Sequence, residues 1–197
     1  MSRIILDVSA NTHKNDWLYL KKMIDSIREI DTLKHEVVFK HQLFVRAGEN
    51  IPLRYDVFKK AYEYAKLHGY KTTSSVFDLV SLDFLLGFDV PFVKIANNRN
   101  LDWLIGEIPR KFPVYVSGSD KGNINFACIS HYPAKIEEYF KFGAKKLSMA
   151  ISDHTCDWQL FKEYYPNFYE CHYKLKNSTG LDAGPFARTP EMLKEVL

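Results

Sequence analysis

The chain has 197 residues, the size of one domain at ~100–200 residues per domain. A hydrophobic share of 46% supplies a full core, and 15% aromatic residues suit a small domain that fills space with large side chains. A net charge of +3, with lysines scattered rather than striped, leaves no nucleic-acid footprint. No apolar run reaches the ~18 residues of a membrane span, and "MSRIILDVS" is too short for a secretory signal. Cys128, Cys156 and Cys171 are odd in number and lack CxxC spacing, which argues against a disulfide framework or a thiolate zinc site. A cytoplasmic protein without nucleic-acid or membrane partners is expected.

Strand-like and helix-like segments alternate. "RIILDVS" (3–9) is a buried-strand pattern. Residues 16–30 place Trp17, Leu20, Met23, Ile24 and Ile27 at helical spacing behind an Asp16 cap. Strand 36–42, helix 53–69 ending at Gly69, strand 71–77 and helix 79–88 behind Asp78 follow. Next come strand 92–98, helix 101–108, and strands 113–119 and 123–130. The chain closes with helix 134–143, strand 145–152, helix 157–165, strand 167–175 and helix 189–197. Eight strands and seven helices in βα order predict a parallel (β/α)8 barrel spanning residues 1–197 as a single domain. One connection departs from it. Only "DKG" separates the fifth and sixth strands, which reads either as a β-hairpin or as a parallel return lacking its outer helix. An open outer ring there predicts exposed apolar surface, which a homodimer could cover.

In such barrels the active site lies at the C-terminal strand ends. Each strand finishes in a hydrogen-bonding group, among them Asp7, Ser75, Asn97, Ser117, Ser130 and Ser152. Lys40 and Lys94 directly follow apolar residues in "VVFK" and "PFVK". A lysine aimed into a barrel mouth needs an anion, and a phosphate or carboxylate would supply it; the alternative is a side chain that snorkels outward. His154 and His172 end the seventh and eighth strands, ~4.8 Å apart if paired, so two imidazoles could share one divalent ion or could each be satisfied structurally.

These motifs resemble the sialic acid synthase family. "EVVFKHQLF" is similar to its second-strand lysine motif. "TTSSVFDLVSLDFLLGFDVPFVKIANN" resembles the Ser-Thr-Pro-Phe segment, apolar helix and following lysine strand. "CISHYP", "ISDHT", "YECHYKL" and "TGLDAGPFARTPEMLKEV" match further segments in order, "SDHT" outright. The resemblance implies a barrel that condenses phosphoenolpyruvate with an N-acetylated amino sugar and releases phosphate. It implies a divalent metal, usually manganese, with magnesium or another ion as the alternative, on His154 and His172. Lys40 and Lys94 would bind phosphoenolpyruvate, helped by Ser75, Ser117, Ser130 and Ser152. Asp7 and Asp182 would be catalytic, and Asn97 and Arg99 would face the acceptor.

The chain also departs from the family. Asp7 replaces a glutamate, "NTHK" stands for Asn-His-Asn-Gly, and Asn97 and Arg99 replace a serine and a glutamate. Leu181 replaces a proline, and the family's C-terminal antifreeze-like domain has no counterpart. Donor and metal residues are thus mostly retained while acceptor residues are altered. The alternative is a degenerate barrel that binds an anion or metal without condensation.

Overall fold

Eight parallel strands close into a barrel in simple chain order. The computed structural model describes residues 1–46 and 48–197. The strands are β1 (Arg3–Asp7), β2 (Glu36–Leu43), β3 (Lys71–Val76), β4 (Val93–Ile95), β5 (Val114–Ser117), β6 (Ile124–Cys128), β7 (Ala150–Asp153) and β8 (Phe168–His172). Outside them lie α1 (Ala10–His13), α2 (Trp17–Arg28), α3 (Tyr55–Leu67), α4 (Leu79–Leu85), α5 (Leu104–Glu107), α6 (Ala144–Met149), α7 (Gln159–Tyr164) and α8 (Pro190–Leu193). The expected caps form: Asp16 accepts from Leu18 and Tyr19 N–H, and Asp78 from Ser81 N–H.

Side-chain alternation along each strand builds two layers inside the barrel. Ile5, Val38, Phe92, Tyr115, Phe126 and Ala150 fill the lower one as a closed apolar cluster. Two residues further along the same strands come Asp7, Lys40, Lys94, Ser117, Cys128 and Ser152, so the upper layer is polar. The other strand face, including Leu6, Phe39, Ile95, Val116 and Tyr169, packs against the helices as the main core. The floor of the site is therefore dry, and its walls carry the chemistry.

β5 and β6 pair in parallel, Tyr115 opposite Ile124 and Ser117 opposite Phe126, which excludes the hairpin. The helix is indeed missing between them, but the expected bare apolar surface is corrected. Loop 118–123 folds back over β5 and leaves Val116 0% exposed. Asn123 N–H donates to the Val114 carbonyl and Val114 N–H to Asn123 Oδ1, both at 2.7 Å. Gly122 permits the approach, because a Cβ there would sit 2.5 Å from Val116 Cγ2 and 2.8 Å from the Val114 oxygen.

A second correction concerns the segment read as strand 145–152. Residues 144–149 are helical and only Ala150–Asp153 form β7. "AKKLSM" holds good helix formers such as Ala, Lys, Leu and Met and no β-branched residue, so local propensity favours helix until Ala150. Helix 101–108 is a 3-10 turn (Arg99–Leu101) followed by α5, and helix 134–143 is a 3-10 segment (Ile136–Phe142). The closing helix shortens to Pro190–Leu193. α1, a single turn capped by Ser9, has no apolar period to announce it.

Candidate active site

The C-terminal mouth of the barrel holds a cavity of about 280 Å³. Its walls include Asp7, Lys40, Ser75, Lys94, Asn97, Ser117, Ser130, Ser152, His154, His172 and Asp182. The structure therefore gathers eleven of the twelve site residues expected from the sequence. Arg99 is not among the lining residues; its side chain is 74% exposed outside the rim, 4.0 Å from Asp102.

Both lysines are buried and point inward. Lys40 Nζ lies 2.7 Å from Asp7 Oδ2, 3.1 Å from Ser75 Oγ and 3.7 Å from Glu170 Oε1. Lys94 Nζ lies 2.7 Å from Ser117 Oγ and 3.3 Å from the same Glu170 oxygen. Parallel register explains the first pair, since Asp7 stands opposite Lys40 on one side and His172 on the other. The anion that each buried lysine needs is present within the protein: Asp7 and Glu170 beside Lys40, and Glu170 beside Lys94.

Burial opposes the Lys40 ammonium, yet Asp7 and Glu170 outweigh it and raise its pKa. For Lys94, burial and then the repulsion of Lys40 win over Glu170, and its pKa falls. Burial would raise the Glu170 carboxyl, but the two lysines and Ser152 bring it down to about 2. A second charge entering this layer can replace protein carboxylate as the lysines' partner, which is how a buried, paired cation remains available to a ligand.

The imidazoles of His154 and His172 do meet, with ring centroids 5.4 Å apart. His154 Nδ1 donates to the Ile129 carbonyl, which leaves the Nε2 lone pair 3.4 Å from Ser152 Oγ. Burial first, and the neighbouring His172 second, push the His154 pKa down to about 3, so the ring is neutral at physiological pH. A neutral imidazole with its other nitrogen engaged by a carbonyl is the ligand form a metal needs. Two imidazoles are a donor set that fits a borderline divalent ion, which His154 and His172 would hold. Among the described residues no group of three His, Cys, Asp or Glu is placed to hold a metal ion. Tyr132 covers the pair from the rim, 4.3 Å from the His154 ring and 5.2 Å from that of His172.

Behind β7 and β8 a buried network fixes the strand ends. Arg188, 0% exposed, donates to the carbonyls of Thr155 (2.7 Å), Phe186 (2.9 Å) and Asp157, and to Asp153 Oδ2 at 3.1 Å. Tyr169 Oη donates to the same Asp153 oxygen. Tyr139 Oη bridges the Ser152 carbonyl and His154 N–H.

Sequence reasoning missed Glu170, Asn11, Tyr132 and Arg188. Glu170 carried a usable signal: it lies two residues before His172 on one strand and so faces the same interior.

No family model matches the sequence, and no curated protein matches it. Solved structures do. The chain aligns with N-acetylneuraminic acid (sialic acid) synthetase from Leptospira borgpetersenii with a TM-score of 0.78 at 19% identity, covering 98% of this chain and 80% of that one. The chain shares its barrel fold with that synthetase. A spore coat polysaccharide biosynthesis protein E from Chromobacterium violaceum gives 0.78 at 18% identity, covering 99% of this chain and 72% of that one. The spore coat protein SpsE of Bacillus subtilis gives 0.75 at 19% identity, covering 98% of this chain and 65% of that one. At these identities the shared property is the fold. No helix among the described residues is long and apolar enough to cross a membrane.

Proposed function

We propose that this chain condenses phosphoenolpyruvate with an N-acetylhexosamine-type aldehyde to a nonulosonic acid, releasing phosphate in a divalent-metal-dependent reaction in the cytoplasm. The observation that carries the reading is the pair of buried lysines flanked by hydroxyls directly beside two facing imidazoles. Lys40 and Lys94 bind the phosphate and carboxylate, with Ser75, Ser117, Ser152 and the rim residue Ser130 as hydroxyl partners. Asp7 holds Lys40 in place and offers a carboxylate oxygen beside the reacting carbons. His154 and His172 hold the ion, manganese or another divalent metal, which when bound supplies Lewis acidity toward the aldehyde oxygen. A cavity of about 280 Å³ sits at the foot of the usual ~300–1,000 Å³ range, so the three-carbon donor lies inside while the sugar extends over the rim. There Asn97 and Arg99 meet it.

The test is calorimetric titration of phosphoenolpyruvate with and without manganese, beside a His154→Ala control. Metal should tighten phosphoenolpyruvate binding, and the control should lose that gain by more than the ~10–100-fold typical when a ligand's outer partner is removed. Absence of binding in both conditions sinks the proposal. A second reading, binding without condensation, is favoured by the internal neutralisation of both lysines and by Arg99 standing outside the cavity. Phosphate release across a panel of amino-sugar aldehydes separates the two.

A further inference from the structure

Asn11 has no part in the chemistry above, yet its side chain ties three segments together. Nδ2 donates to Asp182 Oδ2 at 2.5 Å and to Asn50 Oδ1 at 2.8 Å, while Oδ1 accepts from Ile51 N–H at 2.9 Å. Asn11 is buried and its own N–H is held by Ser9 Oγ at 3.1 Å, so the amide has little freedom to turn. The loop after β8 comes down onto α1 from the other side. Gly180, at φ +113°, lies so close that a Cβ would sit 2.1 Å from the Asn11 carbonyl oxygen. Two residues further on, Asp182 Oδ1 stands 3.4 Å from His172 Nδ1, a buried nitrogen with no hydrogen-bond partner among the described residues.

We infer that Asn11 is a positioning residue: it holds Asp182 so that the carboxylate keeps the His172 proton on Nδ1 and leaves the Nε2 lone pair for a metal. A carboxylate oxygen accepts, so Asp182 Oδ1 at 3.4 Å favours hydrogen on the ring nitrogen that faces it. With Oδ2 engaged by Asn11, Oδ1 is the atom left to face the ring. Without Asn11 the carboxylate is free to swing toward water, and the ring loses the partner that selects its tautomer. The metal consequence rests on the function proposed above; the tautomer does not.

The experiment uses the full chain, metal-free, with 15N-labelled histidine, and reads the His172 tautomer from long-range proton–nitrogen correlations. Wild type should show Nδ1–H. Asn11→Ala and Asp182→Asn should both shift His172 toward a tautomer mixture. Calorimetric titration with manganese alone should show affinity ~10–100-fold lower in Asn11→Ala. A merely structural Asn11 would lower the unfolding midpoint and leave the tautomer alone. An Nε2–H form in wild type, or an unchanged tautomer in both variants, overturns the inference. If Asn11→Ala fails to fold, Asp182→Asn decides by the same readout. A tautomer shift without any manganese binding in wild type supports the role of Asn11 and counts against the metal-dependent function.

Discussion

Glu170→Gln should lower the stability of the protein by about 3–5 kcal/mol at neutral pH, the range for removing one partner of a buried ion pair. Glu170 is the shared counterion of two buried lysines. Lys40 keeps Asp7 after the change, but Lys94 is left with uncharged partners: the Ser117 hydroxyl, the Ile95 carbonyl at 3.5 Å and the Phe126 ring. The charge is then uncompensated in a layer that water barely reaches. Denaturant unfolding at several pH values gives the sign. The Glu170 pKa is depressed to about 2 in the fold. Its stabilisation is therefore complete above its unfolded value of ~4.3, and it is lost as pH falls toward 2. The gap between wild type and variant should close over that acid range. Lys94 acts in the other direction, since its folded pKa lies below its ordinary value. The variant should regain stability as the pH rises toward ~10 and Lys94 sheds its proton. A difference below ~1 kcal/mol at pH 7, the scale of an exposed pair, would mean that solvent already screens the lysines.

Arg188→Met should cost a comparable ~3–5 kcal/mol, because it strands a carboxylate and three carbonyls at once. Asp153 is 0% exposed, and burial raises its pKa even with Arg188 and Tyr169 opposing the rise. Removing the guanidinium raises it further. A raised carboxyl costs stability as pH climbs above its unfolded value of ~3.9, so this variant should be least impaired in acid and worst at neutral pH. Pairing it with Asp153→Leu removes the orphan charge, and the double variant should recover part of the loss. Denaturant midpoints at pH 4 and pH 7 check both statements. Equal losses at the two pH values would show that the stranded carbonyls, rather than Asp153, carry the cost.

The two cases also mark what could be read from the sequence. Strand ends were legible because interior strands end abruptly, as "VVFK" and "ISDHT" do. Period-two alternation then places Lys40, Lys94, Ser152 and His154 on the interior face without further information. The same rule points to Glu170, two positions before His172, but charge pairing between three separate strands leaves no local trace. Arg188 and Asn11 are less visible still. Arg188 lies in a loop, and its partners Thr155, Asp157 and Asp153 are some thirty residues away. Asn11 acts through contacts with Asn50 and Asp182 that only barrel closure creates. Helix α6 reads as strand in the sequence because the apolar run from Leu147 to Ile151 continues into β7, while the residues before Ala150, none of them β-branched, settle into a helix.

The loop that replaces a helix between β5 and β6 has a mechanical consequence. Elsewhere on the barrel a strand is backed by a helix whose apolar face shares the main core. At Val114–Val116 the backing is six residues of loop, held by Asn123 and the flat approach of Gly122. That quadrant is a seam, a stretch of wall closed by loop instead of helix. Ser117 lies on it and Lys94 on the adjoining strand, whereas His154 and His172 are anchored against the Arg188 network. The site is thus asymmetric in its support. Its imidazole side is braced by a buried charge network, and its second lysine stands beside a strand that a loop backs.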